Sequence, residues 1–473
     1  MTEPTDTGFR ASLPVLVAVS IASFMVNLDT SIVSIALPTL AGVMNASSSQ
    51  VSRIILFYLL AIVSTLMFFG RLGDRVGKKP VFLWGYVLFT SASVLCGLSR
   101  GLSMLVGMRF LQGIGGAMLF ATMSAIIIQN VEERHRGKAF SAIAVFSGIG
   151  VAVGAPLGGF IVENFGWRWI FYINVVPGIL GYSMTARRLA REEAVSGREE
   201  GFDMPGILTS SLALLAVILV MNGGTELGWL SPVIIGLSLA AVVLSVLFIV
   251  REKRTSFPLV ELGMFRNQNL TSGLLTKLGI VALMNGTFVL FPFFLEQVMG
   301  MSTARTGLLL GVFPLLVLLA GPVSGSLTDR IGAGRICTFA SFFVLAASMM
   351  FLGFRYSRAI TLLIPAFAVF GFGIGLFFPA NMKLVMNQAT AGREGILTAI
   401  NSLANFLGAA LGVAFMETIF SLGFPAVHDF KDLAPAQVAE GFGSAMISGV
   451  VIAALAVAFA VWSIRRAGGS SAA

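Results

Sequence analysis

Runs of about twenty apolar residues recur from residue 13 to residue 464, and no stretch between them is long enough for a sizeable soluble domain. Wound as an α-helix, each run matches a hydrocarbon core roughly 30 Å thick. Backbone groups in lipid must be paired within their own segment or inside a closed barrel. Uninterrupted apolar runs of this length do so as helices, whereas barrel strands alternate in polarity over about ten residues. The composition agrees: 56% of the residues are hydrophobic, 11% are charged and the mean hydropathy is +0.92, outside the range of soluble globular proteins. The expected fold is an all-α integral membrane protein. Its fourteen spans lie near 13–37, 51–69, 80–98, 103–128, 138–162, 167–186, 206–221, 232–250, 270–295, 306–327, 336–353, 360–382, 395–420 and 442–464. The first run lacks a small-residue cleavage site, so it reads as an uncleaved span and not a removable signal peptide.

A net charge of +9 could suggest a nucleic-acid or acidic partner until the 31 Lys and Arg are located. They cluster between the apolar runs, at Arg71/Arg75/Lys78/Lys79, Arg134/Arg136/Lys138, Arg187/Arg188/Arg191/Arg198 and Arg251/Lys253/Arg254. A cytoplasmic N-terminus puts most of them on the cytoplasmic side, which is the positive-inside bias. An even number of spans returns the C-terminus to the same side. The basic excess therefore orients a multi-pass protein of the inner (plasma) membrane, and a nucleic-acid partner is unnecessary. Cys96 and Cys337 lie in or beside different apolar runs and read as small packed hydrophobes. His135 and His428 fall in loops, too sparse for a metal site.

Two short stretches repeat: GRLGDRVG at 70–77 and GSLTDRIG at 325–332, each directly after an apolar run, 255 positions apart. The first follows span two and the second span ten. The halves align if spans seven and eight are an insertion between two six-helix units. The expected organisation is a six-helix bundle over 1–186, a linker with two additional helices over 187–268, and a second six-helix bundle over 269–473. The segment 187–205 is the most soluble-looking linker, ending at a helix start signalled by Asp203 and Pro205. A second long loop, 421–441, is mildly acidic and expected outside.

Asp29 stands inside the apolar stretch FMVNLDTSIVSIALP, residues 24 to 38. An ionised carboxylate at mid-membrane costs roughly 2.5 to 3.5 kcal/mol on insertion scales, so it should face water or a partner. It can be a proton carrier or a static packing residue with a fixed hydrogen bond. Arg109, several residues into span four with Gln112 at i+3 on the same face, is the candidate partner; snorkelling to the interface is the competing account. Span five carries Gly150, Gly154 and Gly158 at four-residue intervals, with Gly159 and Pro156. This spacing makes a groove for another helix, and the proline a kink. GDRVGKK at 73–79 lacks the spacing and hydroxyl residue of a phosphate-binding loop, which argues against ATP as the energy source.

Taken together, LDTSIVSIALP (28–38), GRLGDRVGKK (70–79), RFLQG (109–113), GVAVGAPLGG (150–159), WRWIFYINVVPG (167–178) and GSLTDR (325–330) resemble the major facilitator superfamily, specifically its fourteen-helix drug:proton antiporter branch. The resemblance covers nearly the whole chain. It implies that Asp29 couples to protons and exchanges with Arg109. It implies that Gly70, Gly73, Asp74, Arg75 and Gly77 form a cytoplasmic clamp, Asp74 capping a helix start near Arg393–Gly395, with Asp329 and Arg330 as a mirrored, less complete copy. Gly150, Gly154, Pro156, Gly158 and Gly159 match its antiporter motif. Thr328 and Ala333 depart from the first motif copy, Ser64 and Thr65 are more polar than expected, and Lys277 within span nine is not a family hallmark. Lys277 can contact an anionic substrate group or snorkel to the cytoplasmic face.

The implied machine is no enzyme. It is a monomeric exporter in the lipid bilayer, using protons as the coupling ion and no cofactor or metal, that moves hydrophobic or amphipathic small molecules. Asn27, Gln112, Lys277, Asn285, Glu296, Asn381 and Glu417 are the candidate cavity residues, the outer acids with Glu163 suggesting a water-exposed vestibule. Alternatives are a dedicated exporter of a lipid, siderophore or self-made metabolite, a proton-independent facilitator, and a non-transporting receptor or scaffold.

Overall fold

The structure, a computed structural model, describes residues 7–189, 203–255, 262–354, 360–388, 394–422 and 434–467. Much of the linker 187–205 and of the loop 421–441, with His428, Arg191, Arg198 and Arg393, lies outside them. Among the described residues all regular structure is helical. The first bundle is built from α1 (Thr7–Met44), α2 (Ser48–Val76), α3 (Lys78–Gly97), α4 (Leu102–Asn130), α5 (Glu133–Phe165), the single turn α6 (Trp169–Tyr172) and α7 (Val175–Arg188). A hairpin follows, α8 (Met204–Leu227) and α9 (Pro232–Arg254). The second bundle comprises α10 (Gln268–Phe293), α11 (Thr303–Leu310), α12 (Val312–Ile331), α13 (Ala333–Gly353), α14 (Ile360–Met386), α15 (Glu394–Ser421) and α16 (Pro435–Ala467).

Among the described residues, thirteen helical stretches are long and apolar enough to cross a membrane, α11 and α12 counting as one. The remaining expected span, 167–186, is broken at Ile173–Asn174 into α6 and α7, too short singly to qualify. Most helices outrun the apolar stretches that announced them, and the starts of α2, α8, α9, α10 and α11 are fixed by side-chain caps. Before α2, Ser47 and Gln50 form a reciprocal capping box, Gln50 N donating to Ser47 Oγ at 3.2 Å and Ser47 N to Gln50 Oε1 at 3.1 Å.

The internal repeat is visible in the packing. In the first bundle α1 packs on α5 and α2 on α4; in the second α10 packs on α15 and α12 on α14. Between bundles the pairs are exchanged: α5 meets α11 and α12, α2 meets α15, and α1 meets α10. Both copies of the repeated motif end on a glycine in the left-handed region, Gly77 at φ +96° and Gly332 at φ +97°, each starting the next helix one residue later. Only glycine adopts that backbone without strain, which is why the two turns share it.

The inserted hairpin does not lie apart. Asp203 caps α8, accepting from Gly206 N at 3.0 Å, and its carboxylate also meets Arg251 Nε of α9 at 3.1 Å. α8 lies along the seam between bundles: Ser211 Oγ donates to the Ser64 carbonyl of α2, and Thr418 Oγ1 of α15 donates to the Met221 carbonyl at 3.0 Å. The hydroxyls of Ser64 and Thr65, unexpected in span two, bond back to the Leu60 and Ala61 carbonyls of their own helix.

The end where α1 begins and α16 finishes carries the basic clusters and is called here the basic end; the other carries Glu163, Glu296 and Glu417 and is called the acidic end. The serial glycines of α5 seat it on α1: a Cβ at Gly150 would lie 2.6 Å from the Phe24 carbonyl oxygen, and one at Gly154 2.6 Å from Ser31 Cβ. Gly158 does the same against Ile32, at 2.7 Å from its Cγ1. Ser31 Oγ donates to the Val151 carbonyl at 3.0 Å across this contact. Gly154→Val should therefore overpack the seam by about 1–3 kcal/mol and lower the Tm of the detergent-purified protein. At Gly70 a Cβ has nothing within 4 Å, so Gly70→Ala should leave the Tm in place; equal melting of both variants would contradict the packing.

Candidate functional site

Asp29 and Arg109 form a salt bridge, both side chains fully buried. α1 and α4 supply the pair, and α7's N-terminal flank completes it. Asp29 Oδ2 accepts from Arg109 Nη1; Oδ1 accepts from Gln112 Nε2 at 2.9 Å and from Asn174 Nδ2 at 3.0 Å. Arg109 is held independently of the acid. Its Nε donates to the Ile54 carbonyl of α2 at 3.1 Å, its Nη1 also to Gln112 Oε1 at 2.7 Å, and its guanidinium lies 4.1 Å from the centroid of the Tyr58 ring. Gln112 donates its second N–H to Ser93 Oγ of α3 at 2.7 Å. Arg109 thus stays well inside the bundle and does not snorkel. The charge of Asp29 is balanced by one cation and spread over three donors, with both charged side chains shut off from solvent.

Asn174 was not singled out from the sequence, although it lies within WRWIFYINVVPG. The break between α6 and α7 positions it, and its amide is wholly buried. Its signal was available: a polar residue deep in an apolar run, the same sign that marked Asp29. Tyr58 and Ser93 carried no such sign, because hydroxyls are common in membrane helices.

The other expected residues fall into three places. Asn27 and Asn285 are half-buried and donate within their own helices, to the Ser23 and Val281 carbonyls; with Phe24 and Thr30, Asn27 belongs to the partly accessible stripe of an otherwise buried stretch of α1. Lys277 and Asn381 form a separate cluster in the second bundle, Lys277 Nζ donating to the Asn401 carbonyl at 3.0 Å and Asn381 Nδ2 to the Gly273 carbonyl at 2.8 Å. The snorkelling alternative for Lys277 does not hold here, since its ammonium ends on that carbonyl with the residue 6% exposed.

The acids at the acidic end join the bundles. Glu163 Oε2 of α5 accepts from Ala304 N in the first turn of α11 at 2.8 Å, and Ser48 Oγ at the start of α2 donates to Glu417 Oε1 of α15 at 3.3 Å. Glu296, in the π-helical turn Phe294–Val298, lies beside Glu163 and Thr303. Glu417 is 1% exposed, buried where the bundles meet, whereas Glu163 is exposed and Glu296 half-buried, so of the three acids expected at a water-exposed vestibule Glu417 is withdrawn from water and the other two remain accessible. Gly159 fits against the Thr303 carbonyl and Gly307 against that of Ala155, closing the same seam. Pro156 lies inside a helix that continues through it, and a Cβ at Gly311 would come within 2.6 Å of its ring.

At the basic end the charged motif residues pair locally. Asp74 binds Lys78 one turn on, with its side chain 56% exposed, and Asp329 binds Lys383 within the second bundle. Arg75 and Arg330 are exposed, while Gly73 is buried between Lys78 and Thr122. No group of three or more His, Cys, Asp or Glu able to hold a metal occurs among the described residues.

The family model described as Major Facilitator Superfamily matches residues 19–413. The riboflavin transporter RibZ of Clostridioides difficile (strain 630) is 31% identical over 427 residues, covering 90% of this chain and 91% of that protein. The multidrug export protein EmrB of Escherichia coli (strain K12) is 29% identical over 411 residues, 86% of this chain and 79% of that one. Among solved structures, a peptide transporter POT in complex with sulfate superposes with a TM-score of 0.70 at 14% identity, over 95% of each chain, and shares the fold.

The hydrogen bond from Ala304 to Glu163 is tested by breaking it. Glu163→Ala should make a cysteine placed at Ala155 in the same seam react several-fold faster with a membrane-impermeant maleimide. Glu163→Gln, whose amide oxygen still accepts, should change the rate less. Unchanged labelling in Glu163→Ala would show that the carboxylate does not hold the closure.

Proposed function

This chain belongs to the Major Facilitator Superfamily, and on that premise we propose that it is a proton-driven exporter of hydrophobic or amphipathic small molecules, working by alternating access in the inner membrane with its basic end in the cytoplasm. The observation that carries the reading is the fully buried pair of Asp29 and Arg109. A static packing role does not call for an acid: replacing a buried ion pair by apolar residues of like volume is often neutral or stabilising. A carrier that must take up and release a proton does call for one.

Protonation of Asp29 removes the attraction for Arg109, which keeps its Ile54 carbonyl, its Gln112 amide and the Tyr58 face. α1 is then free to shift relative to α4. Because α5 is seated on α1 through glycines and meets α11 on its other side, a shift of α1 reaches the seam closed by Glu163. With the seam open to the outside, Asp29 takes up an external proton, which loosens it from Arg109, helps discharge the substrate and lets the seam reclose; with the basic end open it loses that proton to the cytoplasm and substrate binds again. Asp74 and its local repeat at Asp329 act as clamps at the basic end in the alternate state. One elementary charge crossing the membrane supplies about 2.3 kcal/mol per 100 mV, and each tenfold of substrate gradient takes about 1.4 kcal/mol. One proton thus sustains a gradient of tenfold or more without ATP, a cofactor or a metal, and a monomer suffices.

The relative named a multidrug export protein supports broad export of such compounds. The relative named a riboflavin transporter favours a second reading, one dedicated metabolite carried by the same machine. In proteoliposomes with an imposed pH gradient, wild type should export hydrophobic dyes and release protons on dye addition, Asp29→Asn should lose both, and Arg109→Ala should lose most of the flux. Full proton release from both variants would falsify the mechanism. Riboflavin flux without dye flux would favour the dedicated carrier.

A further inference from the structure

The charge balance inside the spans is uneven. Asp29 and Arg109 neutralise each other, which leaves Lys277 of α10 as a buried cation facing no carboxylate among the described residues. α14 contributes Asn381, Phe378 and Met382 around it, and α15 contributes Asn401. The other charged side chains that the structure describes on these helices are engaged or distant. Lys383 binds Asp329 at the basic end, and Glu417 lies at the acidic end of α15.

The ammonium makes one hydrogen bond among the described residues, to the Asn401 carbonyl at 3.0 Å, and stands 5.9 Å from the centroid of the Phe378 ring. An ammonium has three donors, so two remain. The side-chain oxygens of Asn381 and Asn401 are buried and have no donor; Asn381 is 1% and Asn401 6% exposed. Asn401 Nδ2 rests 3.1 Å from Met382 Sδ, a weak acceptor that a stronger one displaces readily. Buried polar groups left unpaired in this way are an incomplete hydrogen-bonding set. Met382, 37% exposed, and the partly exposed Phe378 form the accessible apolar border of the cluster.

We propose that Lys277, Asn381 and Asn401 form a recognition pocket for an amphipathic organic anion that carries a hydrogen-bond donor beside its charge. The anion binds the ammonium and the free amide N–H groups, the adjacent hydroxyl or N–H donates to an unpaired amide oxygen, and the apolar body lies on Phe378 and Met382. The pocket names a substrate class for the exporter reading and rests on the chain being a transporter of small amphipaths, but not on the proton step.

The test uses equilibrium binding to the full-length protein in detergent, followed by ligand fluorescence, with three probes: a hydroxynaphthoate with its hydroxyl meta to the carboxylate, where it cannot donate to its own carboxylate, the methyl ester of that acid, and plain naphthoate. Wild type should bind the hydroxy acid about tenfold or more tighter than the ester, the scale of one charge-assisted hydrogen bond, and a few-fold tighter than naphthoate. Lys277→Gln should abolish the preference for acid over ester, and Lys277→Arg should retain it in a variant of matched elution profile. Asn401→Ala should remove the preference over naphthoate and keep that over the ester. Equal affinity of acid and ester in wild type, no saturable binding of the hydroxy acid, or an undiminished preference in Lys277→Gln overturns the proposal. Binding needs no turnover, so Asp29→Asn should keep the acid preference. Export surviving Asp29→Asn defeats the coupling reading and leaves the pocket standing, whereas a lost preference with intact coupling does the reverse.

Discussion

The salt bridge between Asp29 and Arg109 is the interaction on which the first bundle is organised. Four helical segments bring groups to it: α1 the acid, α4 the cation and Gln112, α2 the Ile54 carbonyl and the Tyr58 face, and the α6–α7 break the Asn174 amide. Neither charge is tolerable alone in a low-dielectric interior, and the carboxylate is satisfied only while Arg109, Gln112 and Asn174 keep their places around it.

The second constraint is how closely helices approach. α5 touches α1 along one face and α11 along another, and glycine is the residue at both contacts. Without a hydrophobic driving force between helices in lipid, close approach and directed hydrogen bonds supply the cohesion. The two bundles close at the acidic end by equivalent means, a carboxylate from the fifth span of each unit meeting the start of the second span of the other. Glu163 and Glu417 stand 254 positions apart, nearly the 255 that separates the motif copies. The repeat therefore governs the closure as well as the turns at Gly77 and Gly332. The inserted helix α8 spans the α2–α15 seam through Ser211 and Thr418, with hydrogen bonds to one helix of each bundle.

Sequence alone determined the solvent, the number of spans and the repeat, because apolar run length, the location of Lys and Arg and the spacing of two short motifs are one-dimensional quantities. It also marked Asp29, Arg109, Gln112 and Lys277, since a polar group in hydrocarbon is conspicuous whatever its partners. It did not disclose that Asn174 completes the acid's shell, that Asn401 receives the lysine, or that Glu163 and Glu417 each bond across the seam between the bundles. Those facts depend on which faces of distant helices meet, and hydropathy has no directional content along so uniformly apolar a chain. Only the tertiary structure decided them, because a hydrogen bond between residues more than a hundred positions apart is fixed by the crossing of two helices and by the glycines that let them cross.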